Sequence, residues 1–311
     1  MKTGNPFTVR LVMEPKPQTV WGLNHATWFY AMGVGGALYL LRVAFGVEVG
    51  TVFGLSLAHL LGQLFIGVGG LILIVDLGKP FRFWRALMNP KTSWISVGAI
   101  GDFVFLLVDG LYILPDLEVG GARPLAWMPW ANVLWVGVMM QVIAGAAAFL
   151  VIVYPGLVLA TCPGIPLWKT MLIPLQYLVY AAASALGVVL LLASAGGVFL
   201  PVAPVWTLVE GGLLACCLLL VGAHLMEAWN GGETARLSVK RLFRGQIAPS
   251  FLWGCLVVGT AAPLGMSLGA FSAKESVLRA TLLVIAGLLA QVGNFYSKYC
   301  IIKAAMYKPT F

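Results

Sequence analysis

The sequence is short of charge, of histidine and of clustered cysteine. Only 10% of its 311 residues are Asp, Glu, Lys or Arg, where an ordinary soluble domain carries about 25%. So little charge cannot cover a water-facing surface, which excludes a soluble enzyme, a nucleic-acid binder and a disordered scaffold. The net charge of +8 does not point to nucleic acid either, because the basic residues lie in short clusters between apolar runs. The five cysteines (Cys162, Cys216, Cys217, Cys255 and Cys300) contain no C-x-x-C pair, and Cys216 and Cys217 adjoin inside an apolar run. Cysteine there behaves as a small hydrophobe, whereas a metal or iron–sulfur site needs clustered thiolates or imidazoles; no metal ligands are assigned. Three histidines are too few for the four axial ligands of a bis-histidine di-haem bundle. The polar segment 1–20, with Pro6, Pro15 and Pro17, lacks the pattern of a secretory signal and reads as retained.

What the chain has is apolar length: 60% of residues are hydrophobic and mean hydropathy is +0.95. A bilayer crossing takes about 20 mostly apolar residues. By that ruler eight spans emerge, at 21–45, 50–75, 92–114, 131–160, 170–195, 204–228, 249–271 and 276–303. Lipid admits only helices or closed barrels, and these runs show no period-2 alternation. The expected architecture is an all-α polytopic membrane bundle of eight helices over 21–303, with a polar segment 1–20 before it and a tail 304–311 after it. Eight spans put both termini on one side. That side receives Lys2, Arg10 and Lys16; Lys79, Arg82, Arg85 and Lys91; Lys169; Arg236, Lys240, Arg241 and Arg244; and Lys298, Lys303 and Lys308. The other side receives Arg42, Arg123, Lys274 and Arg279. The positive-inside rule then places both termini in the cytoplasm, although loops that dock an acidic partner would give the same bias.

After the second span the chain reads Asp76-Leu77-Gly78-Lys79-Pro80-Phe81-Arg82-Phe83-Trp84-Arg85, then Asn89-Pro90-Lys91-Thr92-Ser93-Trp94. Gly78 and Pro80 break the helix at the membrane surface. Asp76 falls at a helix C-terminus, where the dipole disfavours an anion, and so needs a partner, for which Lys79, Arg82 or Arg85 is in reach. Arg82 and Arg85 share a face if a helical turn re-forms, with Trp84 at the headgroup level. The same residues suit either partner docking or a surface hairpin with snorkelling cations.

This segment resembles the D-L-G-(R/K)-P-x-R-F-W … N-P-x-(T/S)-S-W stretch of the NrfD/polysulfide-reductase family of integral membrane subunits. Weaker matches are Trp28-Phe29-Tyr30 ahead of Gly33, Gly35 and Gly36, then Gly164 to Trp168, and Gly245 to Trp253. The resemblance implies a subunit of a bacterial or archaeal cell (inner) membrane with no haem or iron–sulfur cluster of its own. Such a subunit binds quinone or menaquinone and exchanges electrons with a ferredoxin-like iron–sulfur subunit, which wires to a molybdopterin catalytic subunit. It also implies an Asn and a His early in the first span, with a Tyr from another helix, around the quinone head.

Polar groups at membrane depth are functional candidates by default. Asn24, His25, Asp76, Trp168, Gln176, Tyr177, His224, Glu227, Asn294 and Tyr296 converge on the terminus-side leaflet from several spans. Asn24 and His25 fall in the region the resemblance points to, but adjacent helix residues diverge by about 100°, so one of them, His25, is expected to face the slot. The quinone-binding set is His25, Asn24, Tyr177 and His224, with Tyr30 and Tyr112 as alternative tyrosines. From the opposite side, His59 with Gln63, Asp102 and Asp109 seven apart on one face, and Glu210 suggest with Asp76 a set of proton-handling groups; buried acids held by Gln or backbone would look the same. Two other readings stay open: a secondary transporter, for which the matching broken halves are not seen, and a structural anchor without a working quinone site.

Overall fold

The computed structural model describes residues 14–196 and 203–309, so Lys2, Arg10 and most of segment 1–20 lie outside the described residues. Helix α1 spans Leu23–Phe45 and ends on Gly46, whose φ of 66° gives the left-handed cap that glycine adopts without strain. Helix α2 (Leu57–Val75) begins seven residues later than the apolar run suggests, because Thr51–Val52 folds back on Leu55–Ser56 around Gly54. The motif then forms a 3-10 helix over Pro80–Leu87. Ser93 caps α3 (Trp94–Ile113) by accepting the Ser96 N–H. The remaining long helices are α4 (Leu134–Ala160), α5 (Leu172–Ala195) and α6 (Ala203–Asn230).

The basic cluster after α6 is not a loop but a short amphipathic helix, α7 (Glu233–Arg244), which buries Ala235, Ser238, Val239 and Leu242. The seventh span starts as a π-helix over Ser250–Ala261 and continues as α8 (Ala262–Ser272). Helix α9 (Ser276–Ala304) closes the bundle. Among the described residues eight helices are thus long and apolar enough to cross a membrane, and the chain is a multi-pass membrane protein. The ends of the described chain meet, Lys16–Pro17 pairing antiparallel with Met306–Tyr307.

Helices α1 to α4 form one four-helix group, and α5, α6, the seventh span and α9 form a second, joined where α1 and α4 pack on α5. Lipid tails are as apolar as Leu, so close packing rather than water exclusion holds such helices together, and small residues permit it. A Cβ on Gly35 would lie 2.8 Å from the Gly62 carbonyl oxygen, and one on Gly36 would lie 2.9 Å from that of Ala148. Those two glycines let α1 touch the backbones of α2 and α4 at once.

Candidate functional site

Asp76, at the C-terminal end of α2, is satisfied from α1 rather than from the motif's own cations. Its Oδ1 accepts a hydrogen bond from Asn24 Nδ2 at 3.0 Å, and His25 Nδ1 lies 3.3 Å from Oδ2. Lys79, Arg82 and Arg85 form no ion pair with it among the described residues. Asn24 and His25 diverge around the helix and straddle one carboxylate, one side chain to each oxygen. Trp21 stacks on the His25 ring at 4.8 Å. Because Nδ1 faces a carboxylate it carries the proton, which leaves Nε2 for a second partner.

Beside this cluster α2, the 3-10 helix and α3 enclose a cavity of ≈ 190 Å³. Its wall is apolar, with Gly70, Ile74, Leu77, Phe83 and Phe103 among the lining residues, and Asp102 is its one ionisable side chain. Two lining residues, Leu71 and Phe103, are 63% and 60% exposed, so the cavity opens towards lipid. From α4, Tyr154 donates its hydroxyl to Asp102 Oδ2 at 3.3 Å and approaches Met32 Sδ at 3.1 Å. Its ring stacks on Trp28 at 5.9 Å, and Trp28 lies 6.4 Å from His25. Asp102 Oδ1 and Trp28 Nε1 are buried without a hydrogen-bond partner among the described residues, which in a native protein calls for an explanation such as a water or a ligand. Gly98, one turn before Asp102 on α3, makes room for this arrangement, because a Cβ there would overlap the Tyr154 ring.

Tyr154 was not among the tyrosines expected from the sequence; its single signal is a phenol deep inside a 27-residue apolar helix. The expected tyrosines are occupied elsewhere. Tyr30 donates to Gln291, Tyr112 accepts from Gln141, and Tyr177 is buried beneath Lys298, whose Nζ lies 4.6 Å from its ring. His224 also stands apart, in a separate cavity of ≈ 150 Å³ with Lys169, Thr170 and Glu227. Its Nε2 faces the Leu167 carbonyl at 2.9 Å and therefore donates. Of the four residues expected around the quinone head, Asn24 and His25 come together and Tyr177 and His224 do not.

Deeper in the same half, towards the face opposite the termini, His59 Nδ1 meets Asp109 Oδ1 at 2.8 Å, and Gln63 Nε2 donates to Asp109 Oδ2 at 2.8 Å. Tyr112 stacks on the imidazole at 5.9 Å. Asp102 and Asp109 are seven residues apart, about 10 Å along α3. Glu210 does not join them; it accepts from Ser267 at 2.9 Å in the second helix group. The docking candidates Lys79, Arg82, Trp84 and Arg85 are all exposed, with Arg85 5.4 Å over the Trp84 ring. The opposite side of the same 3-10 helix, Phe83, Ala86 and Leu87, lines the cavity. Among the described residues no cluster of three or more His, Cys, Asp or Glu could hold a metal ion.

The family model for polysulphide reductase, NrfD, matches residues 11–309. The C subunit of polysulfide reductase from Wolinella succinogenes is 26% identical over 262 residues, covering 77% of this chain and 79% of that protein. With a match over nearly its whole length, the chain belongs to the polysulphide reductase, NrfD family.

Proposed function

We propose that this chain is the membrane subunit of a multi-subunit redox enzyme, exchanging electrons between membrane quinone or quinol and an extrinsic iron–sulfur subunit that serves a molybdopterin catalytic subunit. The observation that carries this reading is the lipid-open apolar cavity beneath the Asp76–Trp94 motif, with the Asn24–His25–Asp76 cluster beside it and Asp102 in its wall. A quinone supplies a two-electron, two-proton couple and two carbonyl oxygens, and the groups present suit it. At ≈ 190 Å³, below the usual range for ligand pockets of about 300 Å³ and more, the cavity takes a ring. The opening at Leu71 and Phe103 leaves an isoprenoid tail in lipid.

His25 holds or passes a proton at Nε2, a role an imidazole fills near neutral pH, while Asp76 orients its ring through Nδ1. Asp102 offers its unpartnered Oδ1 to a second donor, and Tyr154 fixes the carboxylate through Oδ2. The 3-10 helix separates this cavity from the medium by the width of one helix, so a partner docked on Lys79, Arg82, Arg85 and Trp84 comes close to the ring. The lysine and arginine bias supports a cytoplasmic position for that face, and for both termini, at the cell (inner) membrane.

In the assembled complex, His25→Ala should abolish quinone-linked turnover while dye-linked activity of the catalytic partner persists. Normal quinone turnover in that variant would remove the site assignment. An unaltered complex that neither reduces nor oxidises quinone would leave a purely structural anchor.

A further inference from the structure

The positive-inside count assigns Lys298 to the terminus side, and the structure buries it to 1% exposure inside the second helix group. It sits on α9 six residues before Ala304. Its Nζ donates to Asn294 Oδ1 one turn earlier and lies 4.6 and 6.0 Å from the rings of Tyr177 and Tyr180 on α5. The thiols of Cys217 on α6 and Cys255 on the π-helix are the other titratable groups facing it, and no described carboxylate forms an ion pair with it. Beside it, Asn294 Nδ2 and the Tyr177 hydroxyl are buried without hydrogen-bond partners among the described residues. A buried amine lacking a counter-ion is expensive, and an apolar residue of similar volume would pack the same space at lower free energy. Packing therefore does not account for Lys298.

Along the same seam lies its counterpart. Tyr180 and Thr260 share a hydroxyl contact at 3.4 Å. Beyond them Glu210 is fully buried, with Oε2 bonded to Ser267 and Oε1 without a hydrogen-bond partner among the described residues, against Gly187 of α5, where a Cβ would stand 3.0 Å from Oε1. Tyr177 and Gly187 are ten residues apart on α5, about 15 Å of rise, or half of a hydrocarbon core about 30 Å thick. One half-bundle thus encloses a lone base towards the terminus side and a lone acid towards the other, with hydroxyls between them.

We propose that this seam is a proton-transfer line running from Glu210 to Lys298, separate from the His25–Asp76 cluster. A proton arriving from the face opposite the termini binds a Glu210 carboxylate oxygen and passes through water and the Thr260 and Tyr180 hydroxyls. It binds the Lys298 amine to give an ammonium, then leaves to the terminus-side medium. Each hop breaks one O–H or N–H bond and forms another, and no electron moves.

The test is the full chain in liposomes that enclose a pH-sensitive dye, with a potassium diffusion potential driving uptake. Unaltered protein should carry protons several-fold faster than protein-free vesicles. Lys298→Met and Glu210→Gln should each return the rate to the protein-free level, and Lys298→Met should melt higher than the unaltered chain. Equal rates in the unaltered chain and both variants would overturn the proposal, as would unaltered protein no faster than empty vesicles. If Lys298→Met does not fold, the lysine has a packing role and the proposal fails on that ground; the near-isosteric Glu210→Gln still reports on the acid. The readout needs neither quinone nor partner subunits, so its failure is distinct from failure of the quinone site.

Discussion

Replacing Gly98 with alanine adds one methyl group on α3 at the place where the Tyr154 ring rests. Carbon atoms in ordinary contact stand about 3.5 Å or more apart, and the added Cβ would overlap the ring, so one of them must give by more than about 1 Å. The ring is backed by Trp28 and Met32, which leaves it little room to retreat. Overpacking of this kind costs about 1–3 kcal/mol. The Tyr154–Asp102 hydrogen bond, already 3.3 Å long, would break at a further cost of about 1 kcal/mol, leaving Asp102 without any partner. The detergent-solubilised chain should therefore lose about 2–4 kcal/mol, read as a melting temperature several degrees lower, and the assembled complex should show a raised KM for quinone. Combining Gly98→Ala with Tyr154→Leu removes the ring that clashes, so the two effects should be non-additive by about 1–2 kcal/mol. An unchanged melting temperature for Gly98→Ala, or strict additivity in the double variant, would refute the claim that Gly98 acts through Tyr154.

Asp109→Leu strips His59 and Gln63 of their shared acceptor at a fully buried position; breaking such a pair costs about 3–5 kcal/mol. Thermal melting checks this, with His59→Leu added to Asp109→Leu recovering part of the loss, and a single variant as stable as the parent would contradict it. Exchanging Arg82 and Arg85 for Glu changes two exposed side chains and should leave melting unchanged within about 0.5 kcal/mol. The same exchange should weaken co-purification of the iron–sulfur subunit and flatten its salt dependence; undiminished capture at low salt would count against docking there.

The spans were legible in the sequence because a bilayer sets a length that apolar runs must meet, and all eight helices fall where those runs do. The second begins late because a hairpin around Gly54 occupies its first residues. Residues 233–244 were not legible as a helix: clustered charge reads as loop, and it took the burial of Ala235, Val239 and Leu242 to show the amphipathic face. The site was legible by residue type but not by partner. Asn24 and Asp76 are 52 positions apart, as are Tyr154 and Asp102, and which faces meet depends on helix rotations that no local pattern encodes. The burial of Lys298 was not legible for a related reason. A lysine near a helix end ordinarily snorkels to the surface, and it takes the packing of α5, α6 and the π-helix around α9 to bury it.

The way the acids are satisfied, Asp76 exposed and Asp102, Asp109 and Glu210 buried, separates those that fix structure from those that can act. Asp76 and Asp109, towards opposite ends of the first helix group, are held alike: one oxygen meets a histidine Nδ1, the other a side-chain amide, from Asn24 in the first case and Gln63 in the second. A carboxylate with both oxygens engaged is a clamp, and what it leaves free is the far nitrogen of its imidazole. Asp102, between the two, spends one oxygen on Tyr154 and keeps the other buried with no hydrogen-bond partner among the described residues, in a residue that lines the cavity. The same half-engaged state recurs in Glu210, which has no imidazole near it among the described contacts but shares its helix group with an amine that forms no ion pair among the described residues. The first site sets acid and imidazole beside a slot open to lipid, and the second sets acid and amine along one seam. The first arrangement suits chemistry on a ring, and the second suits passage of protons alone.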